Sequence, residues 1–195
     1  MEHDDDGVHV WTSRARFRAQ MVLLCANAYS PLLSPHFVGR VYPTRGQMLA
    51  TEPLPRRIVP WGVYADFGYE YFWQLPTGEF VAGGWRQHHA DAEKGYSDET
   101  TVAIQDGLWG FLTSVFPALA TARVTHRWGG VMGFSGDGLP FIGGLPGKPR
   151  IKYLAGHTGH GLGFSFLAAR ALVRMVLDAE PVGWLSAGRP TLQGG

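Results

Sequence analysis

The chain has 195 residues, of which 45% are hydrophobic and 13% aromatic, enough apolar material to pack a core in one or two compact units. Its 17 Lys and Arg stand against 16 Asp and Glu, a formal charge of +1, so there is no strong field to attract nucleic acid or an anionic lipid surface. A single cysteine, Cys25, cannot build a disulfide framework, no apolar run reaches the ~20 residues a bilayer requires, and the acidic start from Glu2 to Asp6 is unlike a signal peptide. The expectation is therefore a soluble, cytoplasmic protein. The 27 glycines and 13 prolines imply many tight turns and close backbone approaches, as a cofactor site or a turn-rich sheet would need.

In chain order, residues 8–12 and 16–18 alternate across a short polar turn and predict a hairpin, and the apolar run 21–26 predicts a buried strand ending at Asn27. Cys25 lies within that run, where a free cysteine is ordinarily a small inert hydrophobe. Residues 40–51 read as extended chain broken at 43–46, and residues 69–84 as a hairpin around Leu75-Pro76-Thr77-Gly78 with aromatic arms. Ser97, followed by Asp98 and Glu99, is the expected N-cap of a helix whose apolar stripe is Ile104, Leu108, Phe111, Leu112 and Val115 and whose end is Pro117. Residues 123–132 predict a strand, 133–149 a Gly/Pro-rich loop, 151–155 a short buried strand, and 162–177 a helix with Leu167, Ala168, Ala171, Leu172, Met175 and Val176 inward. The last fifteen residues read as a mobile tail.

The sharpest local feature is Gly156-His157-Thr158-Gly159-His160-Gly161-Leu162-Gly163, between a strand and a helix. The first N–H groups of a helix lack internal partners and carry the positive end of its dipole, so they suit electron-rich oxygen or developing negative charge. The bland alternative is a strand-to-helix turn whose glycines serve packing alone. Nucleotide fingerprints are absent: G-x-G pairs at Gly136, Gly159 and Gly161 meet Phe141, Phe164 and Phe166 where a third glycine belongs, and Gly147-Lys148 has Ile142 where the leading P-loop glycine would be. His157 with His160, and His88 with His89, lack the spacing of a zinc site, so no metal is expected. Gly133-Phe134-Ser135-Gly136 is not a nucleophile elbow.

Four segments, in order, resemble the D-amino-acid-oxidase-like flavoprotein family, in particular its glycine, sarcosine and γ-glutamylputrescine oxidase branches. They are residues 21–30; residues 42–53, containing Arg45-Gly46-Gln47; Trp128-Gly129-Gly130 with Asp137-Gly138-Leu139-Pro140-Phe141-Ile142-Gly143; and Gly156 to Gly161 with its helix. The match spans nearly the whole chain but only the second half of the family's length. It implies an α+β fold: a mixed or antiparallel substrate-domain sheet with a covering helix, joined to the C-terminal strand and helix of a Rossmann-like FAD-binding domain. The implied boundaries are 1–39 and 128–180 for the FAD-binding part, 40–127 for the substrate sheet and 181–195 for a tail.

The resemblance further implies FAD as cofactor, held without a covalent bond, and places Arg45, Gly46, Gln47 and Asp137 near the flavin, with Gly159, His160, Gly161 and Leu162 at its pyrimidine side. Asp137-Gly138 could equally be a plain turn. Tyr69, Tyr71 and Trp73 are candidates for the substrate side, although alternating aromatics also serve as sheet core. Where amino-acid-oxidising relatives often carry an arginine four residues after the tryptophan, this chain has Met132, which removes the bidentate clamp for a substrate carboxylate. The reading is an FAD-dependent oxidoreductase that oxidises the C–N bond of an amine or amino acid to an imine, with a γ-glutamylputrescine-like amine favoured, and that requires a missing N-terminal FAD-binding segment as partner. Its alternatives are an inactive truncated fragment and an unrelated α+β ligand-binding domain.

Overall fold

The computed structural model describes residues 1–4 and 6–193, and the chain divides into two compact units, Met1–Pro43 with Met132–Gly195, and Thr44–Val131. The fold is α+β, as the sequence implies.

In the first unit, β1 (Glu2–Asp4), β2 (Gly7–Trp11) and β3 (Arg16–Ala19) form an antiparallel meander in the order β1-β2-β3. The expected hairpin is its second half, with Val8 opposite Ala19 and Trp11 opposite Arg16. Next come β4 (Val22–Leu24) and the short helix α1 (Ser30–Leu33). The strand β4 is less buried than its apolar run predicts: Leu23 is 41% exposed, and Cys25, just past the strand, is exposed too.

The central strand of the unit's other sheet is β11 (Lys148–Ala155), which pairs parallel with β4 and antiparallel with β10 (Phe141–Leu145). Residues 133–149 are therefore not simply a loop. The Gly147 turn, at φ 67°, folds β10 back onto β11. Alternation along β11 sends Ile151 and Tyr153 into a core with Val8, Phe37 and Phe141, and Leu154 into a second core with Ile142 and helix α3 (Gly161–Leu177). Buried Ala168 and Leu172 of α3 face that core, with Ala171, Met175 and Val176 partly buried beside them. Leu167, expected inward, is 58% exposed. The opposite stripe of α3 lies open, with Leu162, Phe166, Val173 and Leu177 all exposed.

Residues 181–193 are docked rather than free. Ala187 N donates to Ile142 O at 2.8 Å, and Leu185 and Leu192, the latter in α4 (Pro190–Gln193), are buried.

The second unit is a five-stranded sheet in the order β6-β7-β8-β5-β9, made of β5 (Tyr42–Pro53), β6 (Val63–Ala65), β7 (Glu70–Gln74), β8 (Glu79–Gly84) and β9 (Val124–Phe134). β5 runs unbroken through Pro43 and Gly46, where a break was expected. One face is covered by α2 (Val102–Val115), whose Leu108 and Leu112 pack on Leu49, Phe72, Phe80 and Ala82. Gly107 lies inside that helix, where a Cβ would collide with the Trp85 ring. By strand alternation, the other face carries Met48, Ala50, Tyr71, Trp73 and Val81.

The helix begins at Val102, with Thr101 as N-cap and no side-chain cap bond. Ser97 serves elsewhere: its hydroxyl accepts from Arg45 Nη1 at 3.1 Å. Arg45 is 6% exposed, and its five N–H donors are all used, on Glu93 (2.8 and 2.6 Å), Ser97, Ala92 O and Glu99 O. Gln47 adds bonds from Nε2 to both oxygens of Glu93 and to Thr101 Oγ1, and its Oε1 accepts from Thr101 N. This network ties β5 to the segment before α2, so the sequence's capping residue is consumed by a buried ion pair.

Burial pushes the Glu93 carboxyl upward in pKa, but hydrogen bonds from Arg45 and Gln47 and the charge of Arg45 outweigh it and hold the group below its ordinary value. A lowered folded-state pKa stabilises the fold above the ordinary carboxylate value of roughly 4.3 and loses that contribution as pH falls through the folded value. Glu93→Gln leaves the Arg45 charge buried without a counter-charge and is expected to cost about 3–5 kcal/mol in urea unfolding at pH 7. A variant within ~0.5 kcal/mol of the parent would show that the pair carries no weight.

Candidate functional site

The turn from β11 into α3 is built by backbone conformations that most residues avoid. Gly156 and Gly159 stand at φ 77° and 76°, and Thr158 between them at 51°. A Cβ at Gly156 would lie 2.7 Å from Phe141 and 3.0 Å from Ser135, so only glycine fits there. The non-glycine Thr158 is held by its neighbours: its N–H donates to Gly133 O at 2.8 Å, its hydroxyl donates to Gly156 O at 3.1 Å, accepts from Ser135 N at 3.1 Å and lies 3.3 Å from Ser135 Oγ, and its carbonyl meets His160 Nδ1 at 2.8 Å. The last contact places a proton on His160 Nδ1 and leaves Nε2 as that ring's acceptor when neutral.

The start of the turn is pinned from across the unit by Asn27, itself at φ 42°. Its Oδ1 accepts from Gly156 N at 3.0 Å and His157 N at 3.3 Å. Gly133 gives it room, since a Cβ there would sit 2.7 Å from that oxygen. Beyond the pin, the chain enters α3 at Gly161. The first-turn amides of Gly161 and Leu162 have no intrahelical partner, and the Leu162 side chain is wholly exposed.

Two further groups face this turn. Met132 lies beside Gly159: a Cβ on the glycine would be 3.7 Å from Met132 Sδ and 3.8 Å from Phe134. His157 Nδ1 is buried with no hydrogen-bond partner among the described residues, and burial pushes its imidazole pKa down, which keeps the ring neutral at neutral pH. A bare helix start, glycines without side chains and one orphaned polar atom fit the electron-rich edge of a flavin ring. No turn here has the glycine spacing that would cradle the pyrophosphate of FAD.

The fold therefore brings Gly159, His160, Gly161 and Leu162 together with Met132. Asp137 lies in the same unit but is fully engaged. It takes a bidentate pair from Arg189 (Nε–Oδ2 2.6 Å, Nη2–Oδ1 2.7 Å), a hydroxyl bond from Thr191 at 2.7 Å, and a weaker one from Leu139 N. Arg189 above all holds this carboxyl far below the usual range, and Arg189 also donates to Pro140 O and Leu139 O. The Asp137-Gly138 turn thus anchors residues 189–191. Arg45 and Gln47 lie in the other unit, locked on Glu93 with Gly46 buried between them. There, Tyr71 stacks on Tyr64 at 5.9 Å and borders Gly83 and Met48, Trp73 is 37% exposed, and Tyr69 sits apart under the Arg86 guanidinium, 4.6 Å from its ring centre. Among the described residues no three His, Cys, Asp or Glu side chains are grouped to hold a metal, and no helix is long and apolar enough to cross a membrane.

Asn27, Thr158 and Arg189 were not singled out by the sequence. Asn at the end of a strand is a left-handed turn signal, but nothing in the sequence joins it to a turn 129 residues later.

The chain belongs to the FAD dependent oxidoreductase family, DAO, whose model matches residues 1–175. It is 30% identical over 186 residues to a glycine oxidase of Pseudomonas aeruginosa, covering 91% of this chain and 47% of that protein. It is 25% identical over 180 residues to the gamma-glutamylputrescine oxidoreductase of Escherichia coli, covering 88% and 40%. Its fold matches the crystal structure of a glycine oxidase from Bacillus cereus with TM-score 0.79 at 15% identity, covering 94% of this chain and 49% of that one. The chain thus spans about half the length of the relatives it matches.

Asn27→Ala removes the acceptor of two partly buried amides and is expected to cost about 1–3 kcal/mol. Hydrogen exchange at Gly156 and His157 should accelerate by roughly tenfold or more, while Ile151 and Tyr153 follow only the global loss. Unchanged exchange at those two amides would show that the turn is held by other means.

Proposed function

We propose that this chain forms the flavin-ring end and the substrate-side sheet of an FAD-dependent oxidoreductase that converts the C–N bond of an amine to an imine, with a γ-glutamylputrescine-like amine favoured over a simple amino acid. The observation that carries the reading is Met132 lying against Gly159 at the start of α3, because it sets an uncharged thioether where relatives often hold a carboxylate-binding arginine. Bound FAD supplies the redox chemistry, accepting a hydride equivalent from the carbon next to nitrogen. The protein's own part is positional. The first-turn amides of Gly161 and Leu162 would face the ring's pyrimidine edge, where negative charge grows on reduction. His160, oriented by Thr158 O, and the neutral His157 would flank it.

Arg45 and Gln47 have their side chains committed to Glu93 and Thr101, so the role proposed for them and for Gly46 is to fix β5 rather than to donate directly to the cofactor. Asp137 is proposed to shape the loop before β10 through Arg189. Tyr71 and Trp73 are proposed as the apolar wall for the substrate, with Tyr69 a further substrate-side candidate. The first unit is read as the C-terminal part of an FAD-binding domain, and the second as the substrate domain.

The reading includes a partner: a polypeptide segment bearing the glycine fingerprint, either upstream on the same protein or separate. Two features support it. The strand β4 pairs with β11 in parallel at the end of its sheet, and parallel strands are ordinarily covered on both faces. The stripe Leu162, Phe166, Val173 and Leu177 is apolar and uncovered, with Leu162 at 102% and Leu177 at 75% exposure. By the same reasoning residues 1–195 alone would bind FAD weakly if at all, and a cytoplasmic location is part of the proposal.

The test is flavin retention and substrate preference. The chain alone is expected to lose flavin on gel filtration. Co-expressed with the N-terminal half of the Pseudomonas aeruginosa glycine oxidase, it should keep a yellow chromophore that is released on denaturation. In that assembly, Met132→Arg should raise kcat/KM for D-amino acids by about tenfold or more relative to amines without a carboxylate. Flavin uptake by the chain alone, or saturable turnover of simple D-amino acids by the parent assembly, would contradict the reading.

A further inference from the structure

The open face of the second unit's sheet ends in a cleft of about 550 Å³ that the flavin reading does not use. Its size is that of a small-molecule site. The floor is apolar, formed by Ala50 and Val81, which are paired across β5 and β8, with Pro53, Leu75 and the Trp128 ring as walls. Trp128 and His126 lie on this face because Arg127, between them, turns to the α2 side and donates to Gln105 Oε1 at 2.8 Å. The titratable and charged groups lining the cleft are Glu52, Glu79, Arg123 and His126.

Their pairing decides the charge left for a ligand. Arg123 is turned onto Glu52: its Nη2 lies 3.4 Å from Glu52 Oε2, and its backbone N–H donates to Oε1 of the same carboxylate at 3.0 Å. His126 Nδ1 is engaged with Thr125 Oγ1 at 3.0 Å. Glu79 has only the Thr77 hydroxyl as a side-chain hydrogen-bond partner and no ion-pair partner among the described residues. One uncompensated carboxylate therefore stands at the rim of an apolar cleft walled by an indole, and an indole face itself attracts a cation.

We propose that this cleft binds a small organic ammonium with an apolar body, the ammonium on Glu79 and the carbon skeleton between Val81, Leu75 and the Trp128 ring. The site lies wholly within the second unit and stands whether or not the flavin reading holds. A carboxylate ligand fits it less well, because the one guanidinium lining the cleft is already turned to Glu52.

Titration of the isotopically labelled chain at pH 7 with 2-phenylethylammonium, followed by NMR, tests the assignment without any flavin. Saturable shifts are expected at the Trp128 indole N–H and at the amides of Glu79 and His126. Glu79→Gln should weaken binding by about tenfold, Glu79→Asp by less, and Trp128→Ala by roughly fivefold. 3-Phenylpropanoate should bind about tenfold more weakly than the ammonium, or not at all. Glu79 lies at the surface, so spectra of the variants should match the parent away from the cleft and report loss of binding rather than loss of fold. The proposal is overturned by the absence of saturable shifts, by equal affinity in Glu79→Gln, or by tighter binding of the carboxylate.

Discussion

The first unit depends on one side-chain oxygen. Oδ1 of Asn27 holds the amides of Gly156 and His157, and thereby joins the segment after β4 to the end of β11. Each part of that joint constrains another. Gly133 must lack a side chain to admit the asparagine, Gly156 must lack one beside Phe141, and the left-handed backbone at Thr158 follows from the bonds it makes to Gly133 O and Ser135 N. The direction of α3, and with it the place of its unpaired amides, follows from this arrangement.

Two ion pairs play comparable parts, one in each unit. Arg189 and Asp137, each with 9% of the side chain exposed, fasten residues 189–191 to the loop before β10. Arg45 and Glu93, at 8% and 1%, fasten β5 to the segment preceding α2. Buried pairs of this kind contribute little net stability compared with apolar substitutes, yet cost much when one partner is removed. Their use in this chain is to fix register and loop position. Asp137 and Arg45 are both prominent in the motifs that resemble the family, and the structure gives each of them a shaping role in its own unit.

Period and order were legible in the sequence; pairing across long distances was not. The alternation at residues 69–84 and the apolar stripe at Ile104, Leu108 and Leu112 were readable because each is a local pattern with one physical cause. Ser97 misled for the opposite reason. It has the composition of a cap, but a guanidinium from 52 positions earlier claims its hydroxyl. Residues 141–145 were hidden in a loop reading because their glycines obscure a strand that exists by pairing with β11. Residues 181–193 look like a tail until Arg189 finds Asp137. The glycine turn at 156–163 was visible as a site candidate, whereas its pin Asn27 and its neighbour Met132 came together only in three dimensions.

In the proposed function the start of α3 meets the electron-rich edge of the flavin. This is tested most directly by residue-resolved hydrogen exchange on the flavoprotein assembled with a glycine-fingerprint half, compared with and without FAD. The amides of Gly161 and Leu162 are expected to become strongly protected when FAD is present, while those of the Leu75 to Gly78 turn do not change. FAD uptake with no added protection at Gly161 and Leu162 would contradict it.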